Sequence, residues 1–226
     1  MERLRCGKTT KESIMCVPGS EKDPKETVRR GYDLAADAYA QLENGIEWPR
    51  MKWLRKVLSR LEPNSAVLDL GCGSAMPAGP EIAKAHRLTG VDISEAQIER
   101  AQRNVSSGTF VRGDLGSVVF SPDAFDAVLS FYTLEHIPRA EHAAVLRRIH
   151  SWLRGGGLLL FSIEAGDYDD VTGEWLGVPM FLSCFDPETT RGLARNAGFE
   201  ILETEIEVQI EAGKEIPYLW VLARRP

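Results

Sequence analysis

Cysteine is scarce in this chain and never grouped. Cys6, Cys16, Cys72 and Cys184 form no C-x-x-C pair and have no histidine at ligand spacing, so neither a zinc site nor a disulfide framework is expected, and no metal is assigned. Long apolar runs are also missing. No stretch approaches the roughly 18 residues of a membrane span, and the first residues lack the apolar core of a signal peptide. A soluble, cytoplasmic protein without a membrane partner is the expectation. There is no basic excess: 27 Lys and Arg face 33 Asp and Glu, a formal net charge of −6. Polyanion binding draws on clustered cations, so nucleic acid is not an expected partner. Internal repeats and low-complexity blocks are absent as well.

The 226 residues, 43% apolar, suffice for one ordinary core with a small cap. Residues 1–23 mix Lys, Arg, Ser, Thr and Gly without periodicity and contain Pro18-Gly19-Ser20, which predicts a disordered tail. One domain is then expected over 24–226. It opens with a helical cap (24–61), because apolar residues recur at helical spacing over 24–42 and again over 48–61. Then the period changes. Strands are expected at 66–70, 88–92, 109–113, 125–131 and 157–163, with helices at 77–85, 95–104, 139–153 and 187–197. Alternation of this kind means a parallel sheet wrapped by helices. The last strands, 199–210 and 217–224, have only a short turn around Gly213 between them and must pair antiparallel.

The densest signal is Ala66-Val67-Leu68-Asp69-Leu70-Gly71-Cys72-Gly73. An apolar run ends in a carboxylate and passes into two glycines before a helix begins, the layout of a nucleoside-binding turn. A dinucleotide site needs a glycine where Met76 stands, and a carboxylate beside its pyrophosphate is unfavourable. A cationic ligand suits Asp69 better, and S-adenosylmethionine carries a sulfonium and an ammonium. In open α/β sheets ligands sit beyond the carboxyl ends of the strands. Asp92 ends the second strand, about 20 residues past the glycine turn, where a carboxylate can grip both ribose hydroxyls. Asp114 follows the third, where it can accept an adenine amino proton. The plainer use of both acids is to cap the turn or helix that follows.

Val67-Leu68-Asp69-Leu70-Gly71-Cys72-Gly73, Gly90-Val91-Asp92-Ile93-Ser94, Gly113-Asp114-Leu115 and Phe125-Asp126-Ala127-Val128 resemble, in order, the motifs of class I S-adenosylmethionine-dependent methyltransferases. Leu134-Glu135-His136-Ile137-Pro138 and Trp152-Leu153-Arg154-Gly155-Gly156-Gly157 resemble segments of the small-molecule branch of that superfamily. The resemblance runs from about Tyr32 to Arg224. It implies a Rossmann-like, doubly wound, seven-stranded α/β sheet in three layers with a C-terminal antiparallel hairpin, and S-adenosylmethionine as cofactor. It places Gly71 and Gly73 at the methionine portion, Asp92 at the ribose, Asp114 at the adenine, and Ile93 and Leu115 around the base, with Ser130 also at the cofactor. Tyr32 or Tyr39 resembles a tyrosine that lies over the cofactor in the family, the other use of both being helix packing. Ala75 stands where the family often has a third glycine.

Methyl transfer from a sulfonium is an in-line displacement that needs alignment above all, and a base only for acceptors that must lose a proton. Tyr132, Glu135 and His136, after the fourth strand, are the catalytic candidates, with His136 the best base by chemistry and packing its other use. Glu164, Trp175 and Phe181 are the acceptor-side candidates. The last two lie in an insert at 165–185, longer than the roughly 15 residues beyond which a loop inside a compact domain is usually functional. It is read as a lid that, with the cap, forms an apolar pocket; anchoring the loop is the other use of Trp175 and Phe181. Asp167, Asp169, Asp170 and Glu174 either favour a cationic acceptor or form a solvated face. The expected acceptor is a small, partly apolar metabolite and the expected state a monomer or homodimer. A silent cofactor-binding sensor and an aminopropyl transferase are the alternatives.

Overall fold

The computed structural model describes residues 23–45, 49–211 and 213–226. Residues 1–22 of the expected tail, and Trp48 in the expected second helix, lie outside them. In chain order the elements are α1 (Pro24–Gly45), α2 (Arg50–Leu58), β1 (Ala66–Leu70), α3 (Ala78–Ala83), β2 (Arg87–Asp92), α4 (Glu95–Asn104), β3 (Thr109–Arg112), β4 (Phe125–Ser130), α5 (Arg139–Trp152), β5 (Leu153–Glu164), β6 (Tyr168–Trp175), β7 (Val178–Cys184), α6 (Pro187–Asn196), β8 (Glu200–Glu211) and β9 (Lys214–Arg224).

Seven strands form one sheet in the order β3-β2-β1-β4-β5-β9-β8. The first five are parallel, and β9 pairs antiparallel with both β5 and β8. The α/β reading is therefore correct, and so is the hairpin at Gly213, whose φ of 79° supplies the left-handed turn. β1 and β4 sit centrally, and Val67, Leu68, Leu70, Ala127, Val128 and Leu129 are all fully buried, as strands covered on both faces require. One face packs Leu68, Val128 and Phe161 under Leu146, Ile149 and Trp152 of α5. The other packs Val67, Leu129 and Leu160 under Trp53, Leu54 and Val57 of α2, where Trp53 stacks on Trp220 with centroids 5.6 Å apart. The outermost strand, β8, carries Glu203, Glu205 and Glu207, which pair with Lys56 and Lys52; charge along an edge discourages pairing with a further strand.

The insert differs from the expected loop. It is a β-hairpin, β6 against β7, turned by Leu176 and Gly177 at φ 48° and 77°, the positive pair a two-residue hairpin turn needs. Its inner side packs on α1, with Met180 and Phe181 against Val28. Gly31 permits the approach, since a Cβ there would meet Met180 Cε at 2.8 Å. α1 is also tied across the strand tips: Lys25 pairs with Asp114 at 3.0 Å, and Asp33 accepts from Ser94 Oγ at 2.6 Å, the residue that caps α4 through Gln97 N.

Candidate functional site

β1 leads into a turn in which Gly71 and Gly73 have φ of 71° and 51°. The amides of Gly71 and Cys72 both donate to Val91 O, at 2.7 and 3.0 Å, which folds the turn back onto β2. A Cβ at Gly71 would be driven into the Thr133 side chain, whereas one at Gly73 would find nothing nearer than Tyr39 at 3.9 Å. Gly71 is thus required by packing and Gly73 leaves the main chain open to a ligand. Ala75, in the position of the family's third glycine, has φ 62°; it adopts the left-handed conformation a glycine would take without strain.

A cleft opens beyond these strand ends. Gly71, Gly73, Asp92, Ile93, Asp114 and Leu115 all line it, and Tyr32 and Tyr39 enclose it from α1. Asp92 Oδ2 accepts from Gly73 N and its Oδ1 from Ser94 N, each at 2.9 Å. The capping use is therefore real, yet each carboxylate oxygen keeps a lone pair for a ligand hydroxyl. Burial pushes the Asp92 carboxyl up to about 6, against the pull of these backbone donors. Asp114 accepts from Gly116 N at 2.7 Å and holds Lys25 on its other oxygen. Ser130 does not join the group: it is fully buried at the end of β4 and outside the cleft lining, where Phe131, Tyr132 and Thr133 stand instead.

Asp69 borders a smaller adjoining cleft with Arg50, Tyr39, Gly73 and Phe131. It is buried and its Oδ1 has no hydrogen-bond partner among the described residues. Burial raises its carboxyl to about 7, with the Arg50 guanidinium acting in the opposite direction. An orphaned carboxylate oxygen beside a glycine turn fits a ligand ammonium. Arg50 was not foreseen from sequence. It is buried at the start of α2, donates to Met76 O at 3.0 Å and lies over the rings of Phe131 and Tyr132, 5.7 and 5.1 Å from their centroids. Its codeword in the chain, one arginine in a basic amphipathic helix, carries no sign of burial.

On the acceptor side His136 is committed. Its Nδ1 lies 2.9 Å from Phe181 O, which can only accept, so Nδ1 bears the proton and Nε2 accepts from Tyr32 Oη at 2.8 Å. Burial lowers its pKa to about 4, so the ring is neutral near neutrality with both nitrogens engaged. Tyr132 lines the cleft and donates to Gln209 Oε1 at 3.0 Å. Glu135 is buried, and Glu164 accepts from Tyr168 Oη at 3.0 Å. Trp175 packs 5.5 and 5.4 Å from Tyr32 and Tyr39, behind the two rings and outside the cleft lining. Phe181 differs from the expected acceptor contact: its ring is buried with Val28 and Met180, so it anchors the hairpin. Of the two readings of Asp167 and Asp169 the solvated face fits, since both side chains are largely exposed and pair with Arg139, at 2.8 and 2.9 Å.

Residues 67–157 match the family model described as a methyltransferase domain. The chain is 28% identical over 192 residues to a sterol 24-C-methyltransferase of Clavispora lusitaniae, covering 72% of this chain and 47% of that protein. It is 28% identical over 163 residues to a malonyl-[acyl-carrier protein] O-methyltransferase of Erwinia pyrifoliae, covering 71% and 59%. The chain thus spans about half the length of the curated relatives it matches. Among solved structures, a methyltransferase of Methanosarcina mazei superposes with a TM-score of 0.66 at 19% identity, covering 75% of this chain and 96% of that one. The matched domain, the ordered motifs and the fold are similar to those of the class I S-adenosylmethionine-dependent methyltransferase superfamily. The cofactor of that superfamily is S-adenosylmethionine. Among the described residues no helix is long and apolar enough to cross a membrane.

Proposed function

We propose that this chain transfers a methyl group from S-adenosylmethionine to a small, partly apolar metabolite by in-line displacement. The supporting observation is the convergence of Gly73, Asp92, Ile93 and Leu115 on one cleft, with the unpartnered Asp69 oxygen beside it. In this reading Asp92 takes the ribose hydroxyls, Ile93 and Leu115 flank the adenine, and Asp114 meets its amino edge while sharing Lys25. Asp69 takes the ammonium of the methionine portion and Arg50 its carboxylate.

The bound cofactor supplies an electrophilic methyl whose leaving group is a neutral thioether. The chain contributes position. Tyr32 and Tyr39, backed by Trp175, close over the cleft and exclude water, and Tyr132 and Thr133 bound the side on which an acceptor would stand. Alignment of this kind is worth several kcal/mol of barrier, up to roughly 7–11 in the best cases. Neutral His136 acts by holding Tyr32 in place rather than by taking a proton directly. The relatives' names, a sterol and a malonyl-carrier methyltransferase, support an apolar or carbonyl-bearing acceptor over a polyanion. Residues 24–226 would work as one domain, with the cap and the hairpin as its lid, as a cytoplasmic monomer or homodimer.

Incubation of the purified chain with methyl-labelled cofactor and a small-molecule extract tests this. Label in a small organic product is expected. Saturable cofactor binding with no product from any extract would favour the sensor reading.

A further inference from the structure

α1 runs along one wall of the cleft. Lys25, Val28, Tyr32 and Tyr39 all line it, and the stretch from Lys25 to Tyr39 covers roughly 21 Å at about 1.5 Å per residue. A ligand seated beside it exchanges when one end of the helix lifts, and the way α1 is attached permits that. Its buried Val28 packs on Met180 and Phe181 of the β6–β7 hairpin, a two-stranded sheet separate from the main one. The strand tips it reaches through polar ties: Asp33 accepts from Ser94 Oγ at 2.6 Å and Tyr32 donates to His136 at 2.8 Å. At the start of the helix the tie is ionic. Lys25 Nζ lies 2.7 Å from Glu141 Oε2, in the first turn of α5, and 3.0 Å from Asp114 Oδ2, just after β3.

This clip is built into the fold rather than scattered on the surface. Gly116 supplies its room, since a Cβ there would collide with both Lys25 Nζ and Glu141 Oε2. The side chains of Lys25 and Asp114 are only 23% and 26% exposed, whereas Asp37, the α1 acid that faces Arg100, is 90% exposed. Burial works against the Lys25 ammonium, yet Glu141 and Asp114 more than offset it and raise its pKa above the ordinary lysine value. The clip therefore stays charged near neutrality. Asp114 and Lys25 both line the cleft and Glu141 does not, so one jaw is the acid proposed for the adenine and the other stands outside the ligand's reach. Polar ties of this kind break and remake without disturbing a packed core.

We propose that Lys25, braced by Glu141, is a latch that holds the start of α1 closed over the adenine end of the cleft, and that the cofactor and its demethylated product exchange when it opens. This rests on the methyltransferase reading and adds to it a control on exchange at the same site.

Exchange kinetics test it. Capture of labelled S-adenosylhomocysteine by the full chain, and its release into excess unlabelled ligand, are timed near neutral pH, with equilibrium affinity measured alongside. Lys25→Met and Glu141→Gln are each expected to speed capture and release together by about threefold or more. Because Glu141 lies outside the cleft lining, Glu141→Gln is expected to change affinity less than either rate. Salt gives a second reading: S-adenosylhomocysteine is net neutral, so salt acts on the latch and not on the encounter. Both wild-type rates are expected to rise between about 0.1 and 1 M salt, as the screening length falls from roughly 10 to 3 Å, and the variants to lose most of that rise. Rates unmoved by both substitutions, release quickened without capture in Glu141→Gln, or salt-independent exchange in the wild-type chain would overturn the latch. No uptake of S-adenosylhomocysteine by the wild-type chain overturns the methyltransferase reading and the latch with it, whereas uptake with unmoved rates overturns the latch alone.

Discussion

Tyr32 Oη donates to His136 Nε2 at 2.8 Å because the other ring nitrogen is already spent on the Phe181 carbonyl. This one imidazole therefore joins α1, the turn after β4 and the β6–β7 hairpin. His136→Ala leaves a hydroxyl and a carbonyl unpaired and is expected to destabilise the fold by about 1–3 kcal/mol in chemical denaturation. The ring's folded pKa, about 4 against a usual 6.5, sets the pH dependence. A base with a depressed pKa contributes its full stability above 6.5 and loses it as pH falls toward 4. NMR titration should find His136 neutral at pH 6.5; a midpoint there would contradict the assignment.

Asp69 behaves in the opposite sense. Its folded pKa of about 7 lies above the usual 3.8, so the fold favours the protonated acid and loses stability as pH rises from 3.8 to 7. Asp69→Asn is expected to raise the melting temperature of the ligand-free protein above pH 7, with the gain fading below 3.8, and to weaken cofactor binding at every pH. A variant that is less stable above pH 7 would show that Asp69 is paired in the fold.

Asp92→Ala should weaken S-adenosylhomocysteine binding by about 1.5–3 kcal/mol, the value of hydrogen bonds to a charged group. Some loss of stability should accompany it, since Gly73 N and Ser94 N lose their acceptor. Unchanged affinity would remove Asp92 from the ligand site.

The two glycines of the turn should separate stability from binding. Both lie at positive φ, which costs an alanine about 1–2 kcal/mol. Gly71→Ala adds a collision with Thr133 and should be the less stable variant by thermal melting. Gly73→Ala has room in the fold and should melt higher than Gly71→Ala while still losing cofactor affinity.

The residues legible in the sequence are those whose role is set by a few neighbours in the chain. Asp92 sits on a strand end and Gly71 and Gly73 in one turn, so an apolar run followed by glycines was enough to place them. Residues 66–70 were assigned as a strand and form β1 with those bounds. Arg50 was not legible because its burial comes from Phe131, Tyr132 and Met76, far along the chain. The hairpin was missed because its turn is Leu176-Gly177, and leucine gives no sign of the left-handed conformation that Asn or Asp would signal. Phe181 is an acceptor candidate on composition, but composition cannot say that its ring faces Val28. Ser130 shows the same limit, since one step along β4 decides whether a side chain meets the core or the cleft.

Equilibrium dialysis of the full chain against labelled S-adenosylmethionine, with Asp92→Ala alongside, is the most direct test of the strand-tip cleft as the cofactor site. Stoichiometric, saturable uptake by the wild-type protein and a clear loss of affinity in the variant are predicted. No uptake, or equal uptake by both proteins, would contradict the account.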